Sequence, residues 1–485
     1  MSRLLILGTG PLLEAGVRMI GGQCLRTWHF VQPLRAAGHD VILYTVPIPD
    51  RSPPGGGDSP LVVQRRYRDF DYQAFAVNDP ARLVPVVEAA IADRSPDALI
   101  GVNTFPAFVL AAARSRLPMW ADLNGWHLVE GHVHAVRQQT DDFLGLFWDR
   151  ERTVVRRADA FSTVSERQRL ALLGELAFCG RLGRRAAGHE FAHTVPNAVN
   201  EMLVEAMAEA ATAPPEARGP LVPEDAFIVL WSGGFNAWTD VRMLFEGLSA
   251  AMRACPSLQF ISTGGAVEGF DERTYAEFQA LVADSPLRER FHLLGWIDAA
   301  RLPRLYYEAD VGLNADAPNY ETLFGARNRL TNMMACGLCP CTTLGTEIAE
   351  AVRDHDLGVT FAGGSAAALS DALLAAFAAG REKRREWGRR AAQFARREYS
   401  YETTTRPLLQ WAARPVLAPD NAEKALLAPG AGPLDAVTLN AVERFMARPL
   451  DLDVEQLLQD AADLRALRAK PLYRLWKAFR RLLSW

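Results

Sequence analysis

The stretch 319–337, NYETLFGARNRLTNMMACG, concentrates chemistry-bearing residues where a helix is about to enter a packed domain. Glu321 comes first, then Gly325, then Arg327 and Arg329, then an apolar helical pattern. With a helix over 325–336, Leu330, Met333, Met334 and Gly337 fall on one face as the core stripe. Arg327 and Arg329 are then roughly 200° apart around the axis and cannot share a direction. Arg329 and Asn332, three apart, do share a side. The first-turn amides, one arginine and Glu321 converge on one ligand in this reading. A diphosphate meets the helix dipole and a guanidinium, and Glu321 accepts hydrogen bonds from hydroxyls. The plainer alternative pairs Glu321 with an arginine on a solvated helix end.

Glycine turns offer a second anion-binding signal. They stand at LGTGP (7–11), MIGGQ (19–23), WSGGF (231–235), STGGA (262–266) and LFGAR (323–327). In open α/β sheets, ligands bind beyond the carboxyl ends of strands, where such turns bring backbone N–H groups to a helix N-terminus. The first turn has leucine at position 13, which breaks the dinucleotide fingerprint. Neither a P-loop nor a G-x-S-x-G elbow occurs.

The elements that must carry these turns alternate β-rich runs with helix-period segments, the signature of parallel sheets covered by helices. Strands are predicted at 3–10, 41–46, 97–104, 117–124, 160–165 and 193–198. Six more are predicted at 227–234, 258–265, 291–296, 309–315, 338–343 and 358–364. The Ala-, Pro- and acid-rich segment 201–226 separates the two sets. The expected fold is α/β: doubly wound, Rossmann-like domains at 1–200 and 227–381 facing a cleft, with 201–226 as linker. A helical segment at 382–415 and a helical extension at 416–485 follow.

Bulk properties narrow the function. Of 485 residues, 49% are apolar and 23% charged, as in ordinary globular proteins. Lys plus Arg number 53 against 57 acids, so no basic excess exists to neutralise nucleic-acid phosphates. The start, MSRLLILGTG, reads as a strand and not a secretory signal, and no apolar run approaches bilayer-spanning length. The six cysteines lack disulfide-scaffold density, which suits a reducing cytoplasm.

Several stretches in order resemble the GT-B-fold glycosyltransferases, in particular retaining family 4. GGQCLRTWHFVQPLRAAGHDV (21–41) resembles the first glycine turn, long helix and second strand. RRADAFSTVSERQR (156–169) and VPNAVN (195–200) resemble the later N-domain motifs. VLWSGGFNAWTDVRMLFEGL (229–248), LLGWIDAARLPRLYYEADVGLNA (293–315) and ETLFGARNRLTNMMACGLCPCTT (321–343) resemble the donor domain. The resemblance implies a nucleotide-diphospho-sugar on the C-terminal domain, an acceptor on the N-terminal one, and no metal. It makes Glu321 the acid at the donor sugar, Gly325 and Ala326 amide donors to the diphosphate, and Gly233 and Gly234 the turn beneath it. Gly21 and Gly22 fall on the acceptor side. The chain departs from the family at two places. Arg329 stands where the E-x7-E pattern has its second Glu, with Asn332 at that place when counted back from Gly337. Phe235 and Asp240 replace the usual Arg and Lys of the diphosphate pair. Arg327 or Arg329 is expected to supply the missing positive charge.

Further candidates lie in ADLNGWHLVEGHVHAV (121–136). Asp122 and Glu130 shape the acceptor side or cap and solvate the helix. His127 contacts a sugar or phosphate and is the second catalytic candidate beside Glu321. His132 and His134 are structural. The thiols of CGLCPC (336–341) read as packing and the DFD at 69–71 as chance. The final PLYRLWKAFRRLLSW carries an apolar stripe and a basic face (471–485), suited to an anionic membrane surface, to the protein itself or to a partner. Together these features predict a cytoplasmic sugar transferase, peripheral at the inner membrane face, whose acceptor is a glycan or lipid-linked intermediate of surface polysaccharide. The rivals are a non-catalytic GT-B subunit and a sugar-nucleotide epimerase.

Overall fold

Fourteen strands, mostly continuous apolar runs buried on both faces, build the two sheets of this computed structural model, which describes residues 1–12, 21–48, 60–267 and 271–426. The first sheet contains β1 (Arg3–Gly10), β2 (Asp40–Pro47), β3 (Val62–Tyr67), β4 (Phe70–Phe75), β5 (Ala98–Val102), β6 (Met119–Leu123), β7 (Ala160–Thr163) and β8 (Ala192–Thr194). Its order is β3-β4-β2-β1-β5-β6-β7-β8, parallel except for the β3–β4 hairpin. The second contains β9 (Phe227–Trp231), β10 (Leu258–Ser262), β11 (Phe291–Leu293), β12 (Val311–Asn314), β13 (Pro340–Thr343) and β14 (Val359–Phe361), all parallel. Its order, β11-β10-β9-β12-β13-β14, is the doubly wound Rossmann arrangement with its switch point between β9 and β12. β1 and β5 form the equivalent switch in the first sheet.

Two differences from the sequence expectation have local causes. The β3–β4 hairpin was not expected, because β3 is a polar edge strand with no apolar alternation to read. Asp69, of the DFD, lies at its turn and pairs with Arg35. Several strands also stop earlier than predicted. Beyond Val102 the backbone turns at Asn103 (φ 75), and beyond Trp231 at Gly233 (φ 95).

The expected helix over 325–336 is broken. A short helix, Tyr320–Phe324, is capped by Asn319, whose side chain accepts from Thr322 N. Gly325 and Arg327 are extended, and a second helix runs Asn328–Ala335. Leu330, Met333 and Met334 are fully buried as the stripe required. Gly337 is not part of that stripe. It takes φ 77 and ends the helix.

The charged helix Gly380–Glu398 buries Ala391, Phe394 and Ala395 against Leu330 and Met334. The following helices, Tyr401–Thr404 and Arg406–Ala413, then return to the first sheet. Tyr401, Leu408 and Ala412 join the cluster around Leu4, Ile6 and Phe30, and Ser2 Oγ donates to Ala412 O at 2.8 Å. This return crossing helps hold Met1–Ala425 together as one compact unit. The amphipathic segment 471–485 lies outside the described residues. Among those described, no helix is long and apolar enough to cross a membrane.

Candidate functional site

A cleft of ≈ 410 Å³ lies at the carboxyl ends of the central strands. Gly21, Gly22 and Glu130 line it from the first lobe. Gly233, Gly234, Asn314, Asp316, Glu321, Gly325, Ala326, Arg327, Arg329 and Asn332 line it from the second. Gly22 approaches Asn328 so closely that a Cβ there would stand 2.5 Å from its Nδ2. The turn after β10 presses on the turn after β9, where a Cβ at Gly264 would overlap the Gly233 carbonyl. Glycine is obligatory there for close backbone approach.

Arg327 is buried and Arg329 half-buried at this cleft, with different partners. Arg327 donates Nη1 and Nη2 to Glu321 Oε1 and Oε2 at 2.9 and 2.6 Å, and Nε to Asp316 Oδ2 at 2.9 Å. Glu321 thus has an arginine partner, as the plainer alternative proposed, but both groups are buried and not at a solvated helix end. Burial disfavours the Arg327 charge, yet the Asp316 and Glu321 carboxylates outweigh it and raise its pKa. Burial likewise pushes the Glu321 carboxyl up, while Arg327 draws it back. Arg329 instead donates Nε to Ser232 O and Nη2 to Gly234 O, each at 2.6 Å, and lies 3.6 Å over the Trp231 ring. Among the described residues, no carboxylate is within ion-pair distance of Arg329. Burial pulls its guanidinium down to about 10, so it stays charged at neutral pH.

Several candidates behave differently from the sequence reading. The Gly325 N–H already donates to Glu321 O at 2.7 Å, because the short helix closes on it. The first-turn amides belong instead to Asn328, Arg329 and Leu330, at the start of the second helix. Asp122 is not at the cleft. It is fully buried, receives Arg26 Nε and Nη2 at 3.0 and 2.7 Å, and accepts from Ser162 Oγ. His127 does not line the cleft either. It stacks on Phe147 at 4.2 Å, with Nδ1 3.7 Å from Glu130, because the helix His127–Gln138 packs on its neighbour Leu144–Arg157. Asn332 lines the cleft while its Oδ1 accepts from Asn200 N at 3.1 Å. Phe235 is core, stacked on Trp231, and Asp240 caps the helix Val241–Ala254.

Asp316 and Trp238 were missed. Asp316 follows β12 at the switch point, a position that could have marked it. Trp238, 5.8 Å from the Arg327 guanidinium, is the Trp of a W-x-D pattern in the 229–248 stretch that carries the resemblance, but was assigned no role there. Among the described residues no group of His, Cys, Asp or Glu is placed to hold a metal ion. The CGLCPC thiols are largely buried, which pushes Cys336 and Cys339 up to about 12.

Comparison with known proteins agrees with this architecture. The family model for glycosyl transferases group 1 matches residues 226–378, and that for a glycosyl transferase 4-like domain matches residues 21–178. No curated protein matches the chain by sequence. Among solved structures, sucrose-phosphate synthase from Thermosynechococcus elongatus is 17% identical with a TM-score of 0.62, covering 85% of this chain and 99% of that one. Anabaena HepE in complex with UDP-glucose is 16% identical at 0.60, covering 85% and 100%. An E. coli trehalose-6-phosphate structure bound with UDP-2-fluoro glucose is 12% identical at 0.63, covering 86% and 100%. All three share the fold of two Rossmann-like domains.

Proposed function

We propose, since this chain belongs to the group 1 glycosyltransferases and has their GT-B fold, that it moves a sugar from a nucleotide-diphospho-sugar on the second lobe to an acceptor on the first. One observation carries the donor assignment. Arg329 is a half-buried cation whose hydrogen bonds go to carbonyl and amide oxygens, beside the Gly233–Gly234 turn and the start of the helix Asn328–Ala335. A partly desolvated cation with Asp316 near but no carboxylate in ion-pair contact among the described residues is costly, and an anionic ligand relieves that cost. The bond between the anomeric carbon and the diphosphate oxygen breaks, leaving its electron pair on that oxygen. An acceptor hydroxyl oxygen bonds the carbon and releases its proton. Arg329 and the helix start stabilise the leaving diphosphate, and Glu321 accepts from donor hydroxyls. The neighbours captured with UDP-glucose and UDP-2-fluoro glucose support a nucleoside diphosphate sugar as the donor class.

Retention of anomeric configuration and independence of metal rest on the resemblance to family 4. A lipid-linked glycan acceptor, surface-polysaccharide synthesis and a peripheral place at the inner membrane face rest on the amphipathic 471–485 sequence alone. The test offers UDP-glucose, UDP-galactose, GDP-mannose and ADP-glucose in turn, following thermal shift and nucleoside diphosphate release. One donor is expected to raise the melting temperature by mass action and to be consumed. Stabilisation by none of them, with no release, defeats the reading. Stabilisation without turnover in the presence of acceptor glycans favours the non-catalytic subunit.

A further inference from the structure

We propose that Arg327, anchored by Asp316, is a positioning residue for Glu321 and takes no direct part in binding the diphosphate. The inference rests on the donor reading above. Asp316, Glu321 and Arg327 are all buried, yet all three line the cleft. The anchor begins at the end of β12, where Asp316 N donates to Thr343 Oγ1 at 2.9 Å. Asp316 Oδ2 accepts from Asn314 Nδ2 at 2.8 Å and from Arg327 Nε at 2.9 Å. The rest of the guanidinium forms a fork on both Glu321 oxygens. Three of Arg327's five N–H groups therefore go to carboxylates and the other two to Ala326 O and Thr322 Oγ1 at 3.2 and 3.3 Å, so none remains for a phosphate.

What the fork achieves is orientation. Glu321 sits on a helix of five residues followed by extended Gly325, a weak platform for a side chain with three rotatable bonds. A planar bidentate pair fixes both oxygens at once. A carboxylate has about four acceptor sites, so two remain for substrate hydroxyls. One arginine against two carboxylates also leaves this wall of the cleft negative, whereas the Arg329 wall is positive. Sugar transfer develops positive charge at the anomeric carbon and negative charge on the diphosphate, so the two walls have matching signs.

The experiment uses the full chain and whichever of the four nucleotide sugars above it consumes fastest. Arg327→Lys keeps the charge and loses the fork. It is expected to lower kcat by about 100-fold, the scale of a misplaced catalytic contact, with KM for the donor within about threefold. Glu321→Gln should give a similar loss. The double variant should be no slower than the slower single variant, because both changes remove the same contact. Asp316→Asn, which keeps the side-chain shape, should show a smaller loss of kcat with KM unchanged; it carries the test if Arg327→Lys does not fold. A donor KM raised about tenfold or more with kcat retained, or losses that multiply in the double variant, overturns the proposal. If Glu321→Gln leaves kcat unchanged, Glu321 has no role and the proposal falls with it. If Arg329→Ala leaves donor affinity unchanged, the donor reading itself fails, whatever Arg327 does.

Discussion

Two buried arginines, Arg26 in the first lobe and Arg327 in the second, each grip an acid in a bidentate fork near the ends of parallel strands. Arg26 and Asp122 have side-chain exposures of 1% and 0%, and Arg26 also donates to the carbonyls of Val195 and Pro196 at 2.7 and 3.0 Å. One cation meets one carboxylate, and neither lines the cleft. Arg327 meets two carboxylates, and all three groups line it. A buried ion pair by itself therefore says nothing of function. Access to the ligand space and an unbalanced local charge distinguish the second cluster, and Arg329 sits beside it with no carboxylate in ion-pair contact among the described residues, although Asp316 acts on it from further away.

The largest effect expected on this comparison comes from cutting the sealed pair. Arg26→Met leaves Asp122 charged and buried with Ser162 as its remaining partner, and should cost about 3–5 kcal/mol of stability. Denaturant unfolding checks this, and replacing Asp122 by Leu in the same chain should recover most of the loss. Recovery of stability together with transferase activity would establish the first pair as scaffold. Failure of the double variant to recover would break the contrast.

Next in size is Arg329→Ala. It should weaken donor affinity by about 10- to 100-fold, on the order of 1.5–3 kcal/mol for a hydrogen bond to a charged group. Calorimetric titration with the consumed nucleotide sugar measures it. Asp122→Asn should leave the affinity of folded protein within about twofold, since Asp122 does not reach the cleft.

The smallest effect concerns acids with no guanidinium partner among the described residues. Burial holds the Glu175 carboxyl up at about 7, although Trp126 Nε1 donates to it at 2.6 Å. The folded chain therefore keeps a proton that the unfolded chain releases above its ordinary value near 4.5. Its contribution is complete below about pH 4 and disappears as pH rises through 7. The melting temperature should fall between pH 5 and 8, and Glu175→Gln should reduce that slope. Glu151, also buried and raised, retains the remainder. An unchanged slope would show that Glu175 is ionised in the folded chain despite lacking a cation.

Much of the scaffold was legible because parallel strands buried on both faces must be continuous apolar runs, as in LLIL and FIVLW. The β3–β4 hairpin was not, since its polar edge strand gives no apolar period. At the site, Glu321, Arg327, Arg329 and Asn332 were legible as residue types at helical spacing. The break at Gly325 was not: two short helices and one long one have the same apolar pattern, and Asn319 shows as a cap only once its side chain meets Thr322 N. His127 and Asp122 misled for the opposite reason. Polar residues just beyond a strand or near its end look like site residues until packing shows where they turn.

By itself the sequence determined that there are two sets of strands, that glycines fall at their carboxyl ends, and that charge gathers before an apolar helix. Tertiary structure alone decided which arginine meets which acid. Arg329 reaches the carbonyls of Ser232 and Gly234 across 97 and 95 residues of chain, while Arg327 finds Asp316 only because β12 ends beside it. Burial makes pairing compulsory, but the choice of partner depends on which strand ends the sheet brings together. Local spacing has no access to that distance.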